Sequence, residues 1–154
     1  MILLAIDPGT HSGWCVRFSA AAWTSGVWDL SAKRHEGGGM RFLRLRTYLR
    51  EVLDRERVDA VFYEEVRRHL GVDAAHIYGG CIAVIAEECE ARKVPYRGIP
   101  VATVKKLATG KGNASKDDMI AAAKAKWPMV GVTWDDNEAD ARWIAEAGAK
   151  ELGA

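Results

Sequence analysis

LLAIDPG, residues 3–9, joins a short apolar run to an acidic residue and a turn. Its first four residues form a short apolar run, which predicts a buried strand, and Pro8-Gly9 predicts a turn directly after it. Asp7 closes this strand, and a carboxylate at the end of an apolar run is costly unless something compensates its charge. An aspartate before Pro-Gly also suits a cap or turn, so Asp7 has a structural and a functional interpretation.

Outward from this strand, the sequence predicts a mixed α/β architecture. Two more strands, 13–18 and 23–28, follow with polar turns, which predicts an antiparallel meander. Helical periodicity then alternates with further strands. We expect strands at 58–63 and 94–99, and helices from Met40 to about Leu53, over 74–91 and 100–108, from a Ser115 cap to before Pro128, and from an Asp135 or Asp136 cap to about Leu152. This order predicts an α/β fold with a mixed five-stranded sheet and helices on both faces, in one domain over residues 1–154.

The composition is that of a globular chain and excludes several classes of protein. The 154 residues are 49% hydrophobic and 28% charged, with 22 basic and 21 acidic residues, so we do not expect disorder. No uncharged apolar run approaches the ~20 residues of a membrane span, and the first residues lack the pattern of a signal peptide. Cys15, Cys81 and Cys89 form no Cys-x-x-Cys pair, which favours reduced thiols in a cytosolic protein.

Charge is strongly segregated along the chain. Residues 92–116 contain seven basic residues and no acidic one, and residues 33–57 contain eight basic and four acidic residues. Residues 135–151 contain six acidic and two basic residues. Such runs are often only solvated faces. Because the basic blocks lie beside glycine-rich loops, they also suit a polyanion-binding surface around an acidic centre.

Three more carboxylates are candidates for that centre. Glu64 ends the fourth predicted strand, and Asp136 and Asp140 lie four residues apart at the start of the last helix, so they share one side of it. Oxygen ligands without a cysteine or histidine cluster favour magnesium or manganese over zinc. Paired ions bridged by a carboxylate are the usual apparatus for phosphodiester displacement. Periodicity alone does not show that the four carboxylates meet.

The motifs IDPG at 6–9, YEEV at 63–66 and NEADA at 137–141 resemble the acidic motifs of RuvC Holliday junction resolvases. Lys105 and Lys116, separated by the loop TGKGNA at 109–114, resemble the basic pair of the same family. The resemblance extends from Ile2 to about Ala145, and the compact length and this loop look more like the phage-encoded branch. It implies a ribonuclease H-like fold, a homodimer, and metal-dependent cleavage of four-way DNA junctions. Together with the composition, we expect no membrane association and location in the cytoplasm of a bacterium or a phage-infected host cell.

The resemblance also implies roles for individual carboxylates. Asp7 corresponds to the ligand that bridges two Mg²⁺ ions (with Mn²⁺ as a substitute), Glu64 to the second ligand, and Asp140 to the ligand on the last helix. Glu65 follows the catalytic strand position, and strand alternation directs its side chain to the opposite face.

The fourth metal ligand is where the chain departs from the family pattern. The family ligand lies three residues before the last aspartate, and that position is Asn137 here. Asp136, one residue earlier, lies on the same helical side, so we assign it the fourth position among the catalytic and metal-binding residues. Asp135 and Glu138 remain alternatives.

Basic residues complete the predicted site. Lys105 and Lys116 correspond to the catalytic lysines near the scissile phosphate, where an ammonium group neutralises charge that builds in the transition state. Arg67 occupies a position at which cellular relatives carry an aromatic residue, which puts an inherited sequence preference in doubt. The residues predicted to bind DNA are Arg67, Arg68, Lys106, Lys111, Asn113 and Lys116.

The preferred function is paired, metal-dependent cleavage of four-way DNA junctions to leave 5′-phosphate and 3′-hydroxyl ends. One alternative is another ribonuclease H-like nuclease that acts on RNA–DNA hybrids or flaps. A second, motivated by Asn137, is a junction-binding module without activity. A phosphotransferase of the actin and sugar-kinase type would need a second glycine-rich phosphate loop and a far longer chain.

Overall fold

The computed structural model describes residues 1–69, 71–129 and 133–154. It contains five strands and five helices in these ranges, close to the predicted order. The strands are β1 (Leu3–Asp7), β2 (His11–Arg17), β3 (Trp23–Asp29), β4 (Ala60–Glu65) and β5 (Tyr96–Pro100). The helices are α1 (Met40–Glu56), α2 (Val72–Arg92), α3 (Val101–Thr109), α4 (Lys116–Lys126) and α5 (Asp136–Leu152).

The strands form one mixed sheet in the order β3-β2-β1-β4-β5. The first three strands pair antiparallel, as the predicted meander requires. β4 pairs parallel to β1 on one side and to β5 on the other. The carboxyl ends of β1, β4 and β5 therefore meet at one edge of the sheet, where Asp7 and Glu64 lie.

Helices cover both faces of the sheet, which confirms the predicted fold class. Alternate residues of β1 divide between two cores: Leu3 and Ala5 pack with α3, α4 and α5, whereas Leu4 and Ile6 pack with α1 and α2. This alternation follows from the period of two in a strand. It also fixes the face of each residue that follows the apolar run.

Two helices begin as the capping residues predict. The Ser115 side chain accepts from the Asp118 amide, and the Asp118 side chain accepts from the Ser115 amide, so α4 begins with a capping box. Asp135 caps α5 by accepting from the amides of Asn137 and Glu138. The predicted ends of these helices are likewise within a few residues of the observed ones.

α5 is anchored to the sheet and to α4 by a buried arginine. The Arg142 guanidinium is fully buried between the rings of Trp23 and Trp127, 4.7 and 4.6 Å from their centroids. Its Nη2 lies 2.9 Å from Glu146. Burial lowers the pKa of Arg142. The ion pair with Glu146 and the faces of the two tryptophan rings together compensate the charge of the guanidinium. α5 is thereby held against β3 through Trp23 and against the residue that follows α4, Trp127.

The cysteines and the helices bear on two expectations drawn from the composition. Cys15, Cys81 and Cys89 are free and buried, as expected of packed thiols. None of the helices within the described ranges has the length and apolarity required to span a bilayer.

Candidate active site

Asp7 and Glu64 lie at the carboxyl ends of neighbouring parallel strands and face the same side of the sheet. The last register pair of β1 and β4 joins Ile6 to Tyr63, so the two carboxylates follow at equivalent positions. Strand alternation directs both toward α5, because Ala5 and Phe62, two residues earlier, lie in the core beneath that helix. The two side chains are close enough that the charge of Glu64 raises the pKa of Asp7.

Glu65 faces the other side of the sheet, as predicted. A side chain added at Gly98 would meet Glu65 Cβ and the Tyr63 ring together, which places these two residues on one face. Glu65 also pairs with Arg67 at 3.3 Å near the surface. Only the first glutamate of the pair is therefore directed toward the acidic centre.

Gly13 permits the first turn of α5 to approach this edge. It pairs with Asp7 in the β1–β2 register, and a Cβ built on it would overlap the carbonyl group of Asn137. The absence of a side chain lets the helix backbone lie directly on β2. Asp136 and Asp140 are thereby carried to Asp7 and Glu64.

Mutual repulsion and burial characterise the resulting cluster. Burial, followed by the charges of Glu64, Asp140 and Asp136, raises the pKa of Asp7 well above its usual range. Burial also raises the pKa of Glu64, although Lys105 opposes the shift. Burial and the charges of Glu64 and Asp136 raise the pKa of Asp140 to about 7. These shifts show that the carboxylates are close enough to sense one another.

The two predicted lysines lie beside the cluster. Lys105 on α3 lowers the pKa values of both Glu64 and Asp140 through its charge. Lys116, the first residue of α4, places its Nζ 2.7 Å from Asp136 Oδ2. This ion pair holds the pKa of Asp136 below its ordinary value and raises that of Lys116.

The structure separates the four candidates for the last acidic position. Asp135 is occupied as the helix cap. The Glu138 side chain accepts from the Ser25 hydroxyl on β3, whereas Asp136 contributes to the raised pKa values of Asp7 and Asp140. Asn137 lies with its backbone against Gly13. Of the three carboxylates in this turn, Asp136 is the one coupled to the cluster, and its role as a ligand remains a prediction.

The donor set fits a hard divalent cation. It consists of carboxylate oxygens, and the raised pKa values of three of its members reflect buried negative charge that lacks full compensation. Oxygen donors of this kind favour magnesium or manganese. Among residues 1–69, 71–129 and 133–154, no group of three or more carboxylate, thiol or imidazole side chains has the geometry of a formed metal-binding site.

Most of the predicted DNA-binding residues surround this edge of the sheet. Arg67 and Arg68 are exposed directly after β4. Lys111 and Asn113 are exposed in the loop between α3 and α4, and Gly112 of this loop lies against Ala102 at the start of α3, which places the loop at the carboxyl end of β5. Gly110, in the left-handed region at φ 81°, ends α3 and turns the chain into the loop.

Lys106 is placed differently from the prediction. It lines a cavity of about 670 Å³ between α3 and the last turns of α5, together with Lys150 and Glu151. One residue of helix rotates a side chain by about 100°, so Lys105 faces the acidic cluster and Lys106 faces away from it. The structure does not bring Lys106 to the candidate site.

Much of the charge in the two basic blocks is neutralised within the protein. Arg92 pairs with Asp54 and Glu88, and Arg97 pairs with Glu151. The arginines of α1 that form ion pairs with nearby glutamates are Arg44, Arg46, Arg50 and Arg55. A linear count of charges does not show which of them meet across helices, so only part of the two basic blocks is available to a polyanion-binding surface.

Three supporting residues were not predicted to act at the site. The buried Ser12 hydroxyl donates to the Asp7 carbonyl at 2.9 Å. The Tyr78 hydroxyl on α2 forms hydrogen bonds with the main chain on both sides of Glu65, with the carbonyl of Glu64 and the amide of Val66. Gly13 permits the approach of α5. Only the glycine inside a strand pattern carries a sequence signal, since such a residue often marks a close backbone approach.

Solved RuvC structures share this fold. Thermus thermophilus RuvC in complex with a Holliday junction substrate is 24% identical, with a TM-score of 0.82 over 99% of this chain and 96% of that one. Another structure of Thermus thermophilus RuvC is also 24% identical, with a TM-score of 0.77 over 99% and 97% of the two chains. A yeast mitochondrial Holliday junction resolvase is 15% identical, with a TM-score of 0.61 over 94% and 76%.

No family model and no curated protein sequence matches the chain. The structural likeness defines a ribonuclease H-like fold of the kind found in RuvC. The likeness confirms the predicted fold class.

Proposed function

We propose that the protein is a metal-dependent endonuclease that resolves four-way DNA junctions. The observation that supports this most strongly is the meeting of Asp7, Glu64, Asp136 and Asp140 at one sheet edge, with Lys105 and Lys116 beside them. The fold adds support, because it is shared with a RuvC solved on a Holliday junction substrate. A cluster of carboxylates flanked by lysines suits hydrolysis of a phosphodiester.

Asp7, Glu64, Asp136 and Asp140 would hold Mg²⁺, with Mn²⁺ as a substitute. When bound, such ions activate water and offset charge on the phosphate. The hydroxyl group of the water adds to phosphorus, and the bond to the 3′ oxygen breaks. The 3′ oxygen takes a proton, which leaves a 3′-hydroxyl and a 5′-phosphate.

Lys105 and Lys116 act on the charge that develops during this step. Their ammonium groups lie on the side of the cluster formed by α3 and α4, where they compensate negative charge on the phosphate oxygens. Lys105, already coupled to Glu64 and Asp140, stabilises the ionised form of both carboxylates. Lys116 is 79% exposed, so it is free to move from Asp136 to a phosphate.

Branched DNA is the proposed substrate, and a homodimer the proposed assembly. Two symmetric incisions require two active sites related by a two-fold axis. We assign the positioning contacts to the exposed Arg67, Arg68, Lys111 and Asn113 as well as Lys116. Residues 1–154 would act as one nuclease domain of the phage-like branch, and the buried thiols suit the reducing cytoplasm of a bacterium or an infected host cell.

The decisive experiment is cleavage of a panel of labelled substrates in Mg²⁺: a four-way junction, a fork, a flap, an RNA–DNA hybrid and plain duplex. We expect paired nicks in the four-way junction alone. Asp7→Asn should abolish cleavage and retain or improve junction affinity, because less negative charge faces the phosphates. Preferred cleavage of hybrid or flap would replace the proposed substrate, and tight junction binding in Ca²⁺ with no cleavage in Mg²⁺ or Mn²⁺ would make the protein a binding module. Equal loss of binding and cleavage in Asp7→Asn would assign Asp7 a structural role.

A further inference from the structure

Tyr78 holds the main chain on both sides of the point where β4 leaves the sheet. Its hydroxyl donates to the carbonyl oxygen of Glu64 at 2.8 Å and accepts from the amide of Val66 at 3.0 Å. The ring is half-buried and packs against His69, with ring centroids 4.8 Å apart. One side chain from α2 therefore makes two hydrogen bonds to the segment that carries Glu64.

These two bonds reproduce the pattern of a parallel strand. In a parallel ladder, one residue donates to the carbonyl of position i−1 of its neighbour and accepts from the amide of position i+1. The Tyr78 hydroxyl makes the same pair of contacts, with Glu65 as position i. The β1–β4 register ends at Ile6 and Tyr63, so the hydroxyl extends the support of β4 past the last pair with β1.

We propose that Tyr78 is a positioning residue for Glu64. Beyond Tyr63, β4 keeps ladder partners only on its β5 side, through Ile99 and Pro100. A strand end held on one side frays more readily, and a change in the backbone dihedrals of Glu64 would swing its carboxylate away from Asp7. By fixing the carbonyl of Glu64 and the amide two residues later, Tyr78 keeps this side chain facing the acidic centre. Tyr78 itself does not touch the reacting atoms. The inference rests on the proposed function for its catalytic consequence, but its structural consequence is measurable without cleavage.

The corresponding arrangement at Asp7 supports this interpretation. Ser12, completely buried, donates its hydroxyl to the Asp7 carbonyl. Both strands that end in a candidate ligand thus have that residue's carbonyl bonded to a side-chain hydroxyl from another element. Groups that orient metal ligands typically contribute about 10- to 100-fold to metal affinity or activity.

The test compares Tyr78→Phe with Tyr96→Phe. The first removes only the hydroxyl and keeps the ring against His69. The second is a matched control, since Tyr96 is also half-buried and its hydroxyl forms a hydrogen bond with Glu90 at 3.0 Å that does not involve the β4 backbone. Four quantities are measured for each: hydrogen exchange of the Val66 amide, Mn²⁺ affinity by calorimetry, junction affinity in Ca²⁺, and kcat in Mg²⁺.

In Tyr78→Phe, we expect Val66 exchange to rise about tenfold relative to the neighbouring amides. Mn²⁺ affinity and kcat should each fall by about 10- to 100-fold. Junction affinity should stay within about twofold, because the contacts to DNA are untouched. Tyr96→Phe should match the wild-type protein in all four measurements.

Two results would overturn the proposal. One is a Tyr78→Phe protein that matches Tyr96→Phe in exchange and in Mn²⁺ affinity. The other is a uniform rise of exchange across α2 and the sheet, which would assign the hydroxyl a general role in stability. If the wild-type protein cuts none of the substrates, the proposed function fails, while Val66 exchange and Mn²⁺ affinity still decide the role of Tyr78.

Discussion

Replacing Gly13 with alanine should separate the acidic cluster without altering any of its members. A Cβ at this position would overlap the Asn137 carbonyl group, well inside the 3.0 Å that Cβ atoms keep from other heavy atoms. Both partners are backbone, one in β2 and one in the first turn of α5, so neither can rotate away. To restore ordinary contact at 3.4 Å or more with the carbonyl oxygen, the helix start must move by about 1.5 Å, since packed interiors have few voids.

The displacement has two consequences of different size. Overpacking of this kind typically costs about 1–3 kcal/mol of stability, which a domain of ordinary stability survives. The same shift moves Asp136 and Asp140 relative to Asp7, and a misplacement of about 1 Å can cost on the order of 100-fold in rate. We therefore expect Gly13→Ala to remain folded and to lose most of its activity.

The assay measures kcat on a four-way junction in Mg²⁺, junction affinity in Ca²⁺ and the melting temperature. Gly38→Ala is the control, because a Cβ there has nothing within 4 Å. The expected result is a large loss of kcat in Gly13→Ala, with junction affinity nearly unchanged. Full activity in a folded Gly13→Ala protein would refute the argument that this contact sets the position of α5 over β1.

Three further predictions concern individual charges. Lys116→Ala should lower the cleavage rate by on the order of 100-fold with little change in affinity; weaker binding with a flatter salt dependence would make the lysine a positioning contact only. Asp136→Asn should match Asp140→Asn in loss of cleavage, whereas Glu138→Gln should be milder because that side chain bonds Ser25; a fully active Asp136→Asn protein would remove this carboxylate from the ligand set. Glu88 is buried beside Arg50 and Arg92, and its hydrogen bonds with them lower its pKa below the ordinary 4.5. Its ionised form therefore contributes to the free energy of unfolding in full above pH 4.5, and this contribution is lost as the pH falls through the pKa of Glu88 in the folded protein. Glu88→Gln should therefore melt at a lower temperature than the wild-type protein at pH 7, and the difference should shrink in acid; a difference independent of pH would contradict the assignment.

Local patterns in the sequence predict the helices and strands of this fold. The strand that ends in Asp7, the Ser115 cap and the start of α5 at Asp135 each depend on neighbours within a few residues, and each is where the pattern predicts it. The direction of Glu138 is also a local matter: at about 100° per residue, a side chain two residues before Asp140 points away from it, and Glu138 accepts from Ser25. Such rules need no knowledge of the tertiary structure.

Those local rules do not predict contacts between segments that are distant in the sequence. Tyr78 has no local feature that reveals a bond to the carbonyl of Glu64, and the burial of Arg142 between Trp23 and Trp127 joins three separate elements. Lys105 and Lys106 diverge because adjacent helical residues differ by about 100°, but only the packing of α3 on α5 decides that Lys105 faces the acidic cluster and Lys106 faces Lys150 and Glu151. The cluster of carboxylates itself was suggested by resemblance and order of motifs, not by periodicity.

The ion pair of Lys116 with Asp136 makes metal and DNA thermodynamically interdependent under the proposed function. The ammonium group and a divalent cation would compete for one carboxylate, so each disfavours the other. A DNA phosphate that attracts Lys116 releases Asp136, and the metal then binds more tightly in the presence of the junction. Reciprocity requires the metal to tighten junction binding by the same factor. Because the lysine is largely exposed, an ion pair of this kind contributes at most about 1 kcal/mol, which limits the mutual enhancement to about fivefold.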